Sequence, residues 1–141
     1  MDMQQNVREI TLEAVVANIR VLTAWIDEQL ERLSCPLKAR MQIDVAIDEI
    51  FTNIASYAYS RGSGDVTVRF SLEDRVVSVA LIDSGIPFNP LAHPDPDVSL
   101  SAAERQPGGL GIFLVRKTMD DVQYRYEDGR NILTIRKKIG P

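Results

Sequence analysis

The strongest constraint on how this chain folds is an interruption. Between an apolar run ending at Asp83 and a glycine cluster opening at Gly108, neither helical nor strand periodicity is visible. Five of the seven prolines fall in that stretch or at its end: Pro87, Pro90, Pro94, Pro96 and Pro107. A patternless segment of this length inside a compact unit is uncommon and usually serves as a lid or binding loop. The flanking segments must therefore build a scaffold that holds its two ends.

Those flanking segments carry clear patterns. Residues 7–10 suit a short strand, with Thr11 placed to cap a following helix and Glu13 favoured in its first turn by the helix dipole. Apolar residues then recur at Val15, Val16, Ile19, Leu22, Ile26, Leu30 and Leu33, which is helical spacing with one buried face. Ser34-Cys35-Pro36 interrupts the pattern, and Pro36 suits the first turn of a second helix over 37–59 with a stripe of Ile43, Ile47, Ile50, Ile54 and Ala58. Val66, Val68, Phe70 and Leu72 alternate with polar residues, and after Glu73-Asp74 a more continuous apolar strand covers 76–82. Beyond the interruption, 110–119 reads as a third helix. Strands at 122–126 and 132–137 follow, joined at Asp128-Gly129, a strong hairpin signal. This order predicts an α+β two-layer sandwich: a mixed, mostly antiparallel sheet with three helices on one face.

A length of 141 residues predicts one domain spanning 1–141. The net charge of −4 argues against nucleic-acid binding, which needs a basic surface, and Arg136-Lys137-Lys138 reads as a solvated strand edge. Cys35 is the only cysteine, so no internal disulfide forms and a reducing cytoplasm is the simple expectation. The first residues do not resemble a signal peptide, and no apolar run approaches the ~20 residues that span a bilayer. No cysteine- or histidine-rich cluster suggests structural zinc. His93, among the prolines, is not placed as a phospho-acceptor, and Trp25 reads as packing.

Three short motifs carry chemistry. Glu49 and Asn53 are four apart, so they share one side of the second helix: a carboxylate that can take a proton and a carboxamide oxygen suited to Mg²⁺. A solvated helix pair gives the same spacing. Asp83 ends an apolar strand two residues before Gly85. A partly buried carboxylate there needs a donor partner, such as the exocyclic amine of adenine, although an ordinary strand-exit turn has the same form. Gly108-Gly109-Leu110-Gly111 opens the third helix, where free N–H groups and the helix dipole favour phosphate. A flexible loop end is the alternative.

Taken together, the order and spacing of these motifs resemble the N, G1 and G2 boxes of the GHKL ATPase superfamily over nearly the whole chain. The small bacterial anti-sigma-factor serine kinases and their stand-alone relatives are the most similar branch. The resemblance implies a Bergerat ATP-binding fold with Mg²⁺ and ATP as cofactors. Carried over by position, Glu49 is implied as general base, Asn53 as Mg²⁺ ligand, Asp83 as the adenine contact and Gly85 as shaping that pocket. Gly108, Gly109, Leu110 and Gly111 are implied to cradle the phosphates, with an ATP lid over about 89–107 and Arg105 within reach of the γ-phosphate. Arg20 lies where these kinases keep a partner-binding arginine. Pro87 stands where many GHKL proteins have a second glycine, which affects the lid hinge rather than adenine recognition.

The implied function is a Mg-ATP-dependent serine/threonine protein kinase in partner switching. Its expected partners are a small antagonist protein as substrate and a sigma factor or similar regulator, without nucleic acid or membrane, and with the chain as a homodimer. The alternative is an ATP-gated protein-binding module without kinase activity. A histidine-kinase catalytic piece is disfavoured because no histidine-bearing helix precedes Glu49. A GHKL repair or topoisomerase ATPase would need a further domain.

Overall fold

The computed structural model describes residues 7–59, 64–92 and 109–140. Five strands and three α-helices appear in the order β1 (Val7–Glu13), α1 (Ile19–Arg32), α2 (Leu37–Tyr57), β2 (Asp65–Glu73), β3 (Val76–Asp83), α3 (Gly109–Thr118), β4 (Asp121–Glu127) and β5 (Arg130–Lys138). The sheet order is β1-β2-β3-β5-β4, and every ladder is antiparallel rather than mixed. β5 inserts between β3 and the edge strand β4. That places Asp83, the last residue of β3, opposite Asn131 near the start of β5.

The alternation of β2 does what period-two patterning requires. Val66, Val68 and Phe70 are buried under the helices, while Thr67 and Arg69 point to the other face. Val77, Val79 and Leu81 of β3, and Leu133 and Ile135 of β5, join the same core. From above, α1 contributes Leu22, Ile26 and Leu30, and α2 contributes Ile43, Ile47, Ile50, Phe51 and Ile54. Each such side chain contributes roughly 1.5–3 kcal/mol of burial. Trp25 is partly buried and meets Phe70 edge-on at 6.4 Å, in the packing role expected of it.

Residues 7–20 differ from the sequence expectation. Thr11 does not cap a helix. It lies inside β1, its hydroxyl 2.9 Å from that of Thr67 on β2, and Glu13 ends that strand rather than entering a first helical turn. A 3-10 turn at Val16–Asn18 follows, and α1 begins only at Ile19. Cross-strand pairing with β2 extends the strand past the residue whose local propensity favoured a cap. Elsewhere the boundaries fall close to expectation. Pro36 precedes α2 in extended backbone (φ −57°, ψ 144°), and the β4–β5 turn places Asp128 and Gly129 at φ 53° and 77°, the geometry of a two-residue hairpin. Among the described residues no helix is long and apolar enough to cross a membrane.

Candidate functional site

α2 runs over the sheet, so its two polar side chains are set by helical period and by what packs on either side. Asn53 lines a cleft closed by Ile50, Ile54, Leu81 and Leu133, with Asp83, Asn131 and Tyr124 below and Phe88 and Pro90 at one side. The cleft is partly open to solvent. Apolar walls with a few convergent polar groups are the usual make-up of a small-molecule site.

Glu49 sits one turn earlier on α2 and is half-buried. Burial pushes its carboxyl above the ordinary value, and the neighbouring charge of Asp48 adds to that shift. Its side chain lies against the backbone of α3. A Cβ placed on Gly111 would stand 1.8 Å from Glu49 Oε2 and 2.3 Å from its carboxyl carbon. The glycine therefore leaves the room that the carboxylate fills.

Asp83 is only 4% exposed and Asn131 only 5%. Asp83 Oδ1 accepts two hydrogen bonds, from the Gly85 N–H at 2.8 Å and from Asn131 Nδ2 at 2.9 Å. Asn131 Nδ2 also donates to the Ile86 carbonyl at 2.8 Å, while its Oδ1 accepts the Phe88 N–H at 3.0 Å and the Tyr124 hydroxyl. One buried carboxamide thus ties together the end of β3, the turn after it and the edge strand.

Gly85 is required first by packing. A Cβ there would lie 2.2 Å from the Ala58 carbonyl oxygen, which accepts the Ile86 N–H at 3.0 Å. The turn after Asp83 presses directly on the C-terminal end of α2, so the crowding at Gly85 comes from protein backbone. Tyr59 adds a second clamp, its hydroxyl donating to the Asp65 carbonyl at 2.7 Å and accepting the Ser84 N–H at 3.0 Å.

The fold thus brings together Asn53, Asp83 and the cleft, with Gly85 beneath the turn and Glu49 against Gly111. Gly109 and Leu110 form the first turn of α3. Gly108, Arg105, His93 and most of the lid lie outside the described residues; its first part remains within them, where Asn89 caps a short turn and Arg116 of α3 donates to the Leu91 carbonyl. Arg20 is exposed on the first turn of α1, which contributes nothing to the cleft lining. Cys35 is a free thiol, pushed up mainly by burial. Asn131 and Tyr124 were missed from sequence. Their one signal was a polar Asn in the core-facing register shared with Leu133 and Ile135.

The donor set suits an adenine nucleotide. Asp83 Oδ2 receives no hydrogen bond among the described residues, and Asn53 offers an uncommitted carboxamide beside it. A carboxylate among the lining of an apolar slot fits an aromatic base carrying an amine.

Comparison with known proteins bears on the same stretch. The family model of the histidine kinase-like ATPase domain matches residues 11–137. A serine-protein kinase RsbW of Bacillus mycoides is 29% identical over 122 residues, covering 84% of this chain and 74% of that kinase. A serine/threonine-protein kinase BtrW of Bordetella bronchiseptica is 29% identical over 119 residues, covering 83% of each. In fold, the chain is similar to a crystal structure of the RsbU and RsbW domains of a Mycobacterium tuberculosis protein, at a TM-score of 0.68 and 18% identity. That match covers 96% of this chain but only 33% of the larger one, and at that identity it speaks for the fold alone.

Proposed function

The chain belongs to the histidine kinase-like ATPase domain family, and from that premise we propose that it is a Mg-ATP-dependent serine/threonine protein kinase of the partner-switching kind. Its substrate would be a small antagonist protein, and a sigma factor or similar regulator its second partner. The names of the relatives support this reading, since both are protein kinases acting on serine or serine/threonine. The observation that carries it is the Glu49 carboxyl, half-buried, raised in pKa by burial and pressed against Gly111. A base poised nearer neutrality by desolvation is suited to accept a proton from a hydroxyl.

In this mechanism the Asp83 carboxylate would accept a hydrogen bond from the 6-amino group of the base, and the cleft's apolar walls would cover its faces. Glu49 takes the proton of the attacking serine or threonine as its oxygen bonds to the γ-phosphorus and ADP leaves. Asn53 would hold Mg²⁺, which when bound supplies charge neutralisation at the phosphates. The glycines at the start of α3 would place backbone N–H groups at the phosphates, with Arg105 reaching the γ-phosphate. Arg20, exposed on α1 away from the cleft, would serve a partner protein rather than the nucleotide. The setting would be the cytoplasm, and the working form a homodimer.

The test uses γ-labelled ATP with the purified protein and an extract of its own cells. Label should appear in a small protein as acid-stable, alkali-labile phosphoester and should vanish with Glu49→Gln while Mg-ATP binding persists. Acid-labile label would point instead to phosphohistidine chemistry.

One observation favours a second reading, an ATP-gated binding module. The turn after Asp83 is hydrogen-bonded through Asn131 to the same carboxylate that would hold the base, so occupancy and the position of that turn would be linked. If Glu49→Gln leaves partner binding and its ATP dependence unchanged and the wild type transfers no label, this reading replaces the first.

A further inference from the structure

The outer side of α2 carries an apolar ridge that the core does not use. Leu37, Met41 and Val45 follow one another at a spacing of four, so they line one side of the helix. They are between 51% and 69% exposed, although Ile43, Ala46 and Ile47 beside them are fully buried. Single exposed apolar side chains are ordinary on a protein surface, whereas a contiguous set rimmed by polar residues marks a surface that binds something.

The ridge leads to Glu49. α2 ends against the turn after β3, where the Ala58 carbonyl accepts the Ile86 N–H at 3.0 Å, so it starts at the opposite end of the sheet. α3 runs the other way, from Gly111 beside Glu49 to Thr118, whose carbonyl accepts Lys137 Nζ at 2.7 Å, level with the start of β3. One turn from the Glu49–Gly111 contact, Ala46 and Val115 take the buried side of the seam between the two helices, and Val45 and Leu114 take its open side. Leu114 is 42% exposed and extends the ridge onto α3. Further from Glu49, Lys38 precedes Met41 by three residues and Lys117 follows Leu114 by three. Both lysines are exposed, and neither has an ion pair among the described residues, although Lys117 lies over the Phe113 ring. On a chain of net charge −4 this end of the ridge is locally basic, and the exposed acid on the same side, Asp48, stands at the Glu49 end.

We infer that this ridge is the docking surface for the protein substrate: Leu37, Met41, Val45 and Leu114 receive apolar side chains beside its acceptor serine or threonine, and Lys38 and Lys117 receive acidic ones. This rests on the proposed kinase activity and adds to it the place where the substrate protein sits. A nucleotide cleft does not by itself select one hydroxyl-bearing protein. Contacts away from the reacting atoms must hold the hydroxyl at the base. Glu49 stands one turn, ~6 Å of helical rise, beyond Val45, so a protein seated on the ridge reaches it. The ridge belongs to α2 and α3, not to the face of α1 that carries Arg20.

The experiment takes the small protein that the γ-labelled ATP test identifies, purifies it, and measures steady-state transfer against its concentration. Wild type is compared with Met41→Glu, Lys38→Glu and Val7→Glu, the last a control at an exposed apolar residue of β1. Glutamate is a good helix former and Met41 is exposed, so Met41→Glu folds. It should raise KM for the protein ~10-fold or more, with kcat, unfolding midpoint and Mg-ATP binding unchanged, as loss of a central contact does. Lys38→Glu should raise KM a few-fold at low salt and by less at high salt. Val7→Glu should match wild type. A wild-type KM in Met41→Glu overturns the inference and leaves the kinase reading standing. So does an equal rise in Val7→Glu, or a fall in kcat at unchanged KM. If wild type sediments as a dimer and Met41→Glu as a monomer, the ridge is a contact between copies of this chain, which also overturns the inference. Absence of transfer by wild type sinks the kinase reading and the docking surface together.

Discussion

Glu49 and Gly111 occupy space that only a glycine leaves open: a single methyl group on Gly111 would fall 1.8 Å from the Glu49 carboxylate. The atoms it would meet are the far end of a flexible side chain. Gly111→Ala should therefore fold, since the carboxylate can swing away, and alanine is favoured over glycine in a helix by ~1 kcal/mol. The carboxylate, however, would no longer stand where it does. Misplacement of a catalytic group by about 1 Å can lower rates ~100-fold. The expected result is an unfolding midpoint equal to or above wild type, retained Mg-ATP binding, and phosphoryl transfer reduced ~100-fold. Transfer at the wild-type rate would remove Glu49 from the base role, because its position would then not matter.

Asp83 gives the most direct test of the nucleotide site. A ligand at ~100 times its dissociation constant stabilises a fold by about 2.7 kcal/mol. Millimolar Mg-ATP should raise the unfolding midpoint of wild type and leave that of Asp83→Ala unmoved. The variant itself should be less stable without nucleotide, because Gly85 N–H and Asn131 Nδ2 lose their shared acceptor. Equal upward shifts in both proteins would place the base elsewhere.

What was legible in the sequence follows the range of the forces involved. The stripes of α1 and α2 and the alternation of β2 are local patterns, and they gave the layers and the core correctly. The places of Glu49, Asn53 and Asp83 in the fold were legible because helix period and strand end fix where they stand. Thr11 failed because its partner, Thr67, is 56 residues away and a cap signal is purely local. Asn131 showed locally only as a polar residue in the core-facing register of β5. Its importance arises from β5 inserting beside β3, which sequence order alone does not reveal. Gly85 was read as making room for a ligand, whereas the nearest atoms belong to the end of α2.

That contact separates the two glycines. At Gly85 the obstruction is the Ala58 backbone carbonyl, 2.2 Å from an added Cβ, and backbone cannot swing aside. Gly85→Ala should force the turn off α2, break the Ile86 N–H bond to Ala58 and destabilise by ~1–3 kcal/mol, as overpacking does. Denaturant midpoints compared with Gly111→Ala test this. If both variants are equally stable, the turn after Asp83 does not pack on α2 as described.

Asp44 on α2 faces Asp27 on α1, to which it is hydrogen-bonded, and Arg40 Nε donates to Asp27 Oδ1 at 3.1 Å. Asp44 Oδ1 is buried without a partner among the described residues. Burial first, then the hydrogen bond and charge of Asp27, raise the Asp44 carboxyl from its ordinary 3.8 to about 7, with Arg40 opposing the shift. The folded state therefore holds a proton that the unfolded chain has released between those values. Stability from this group is complete below pH ~4 and is lost as pH rises through about 7. Because Asp44 is only partly buried, solvent screening reduces the expected effect to ~1–2 kcal/mol. Asp44→Asn stays neutral at every pH. It should match wild type near pH 5 and exceed it by ~1–2 kcal/mol near pH 8.5, read from urea unfolding at the two pH values. Parallel pH profiles for the two proteins would show that the carboxyl pair between α1 and α2 does not share a proton.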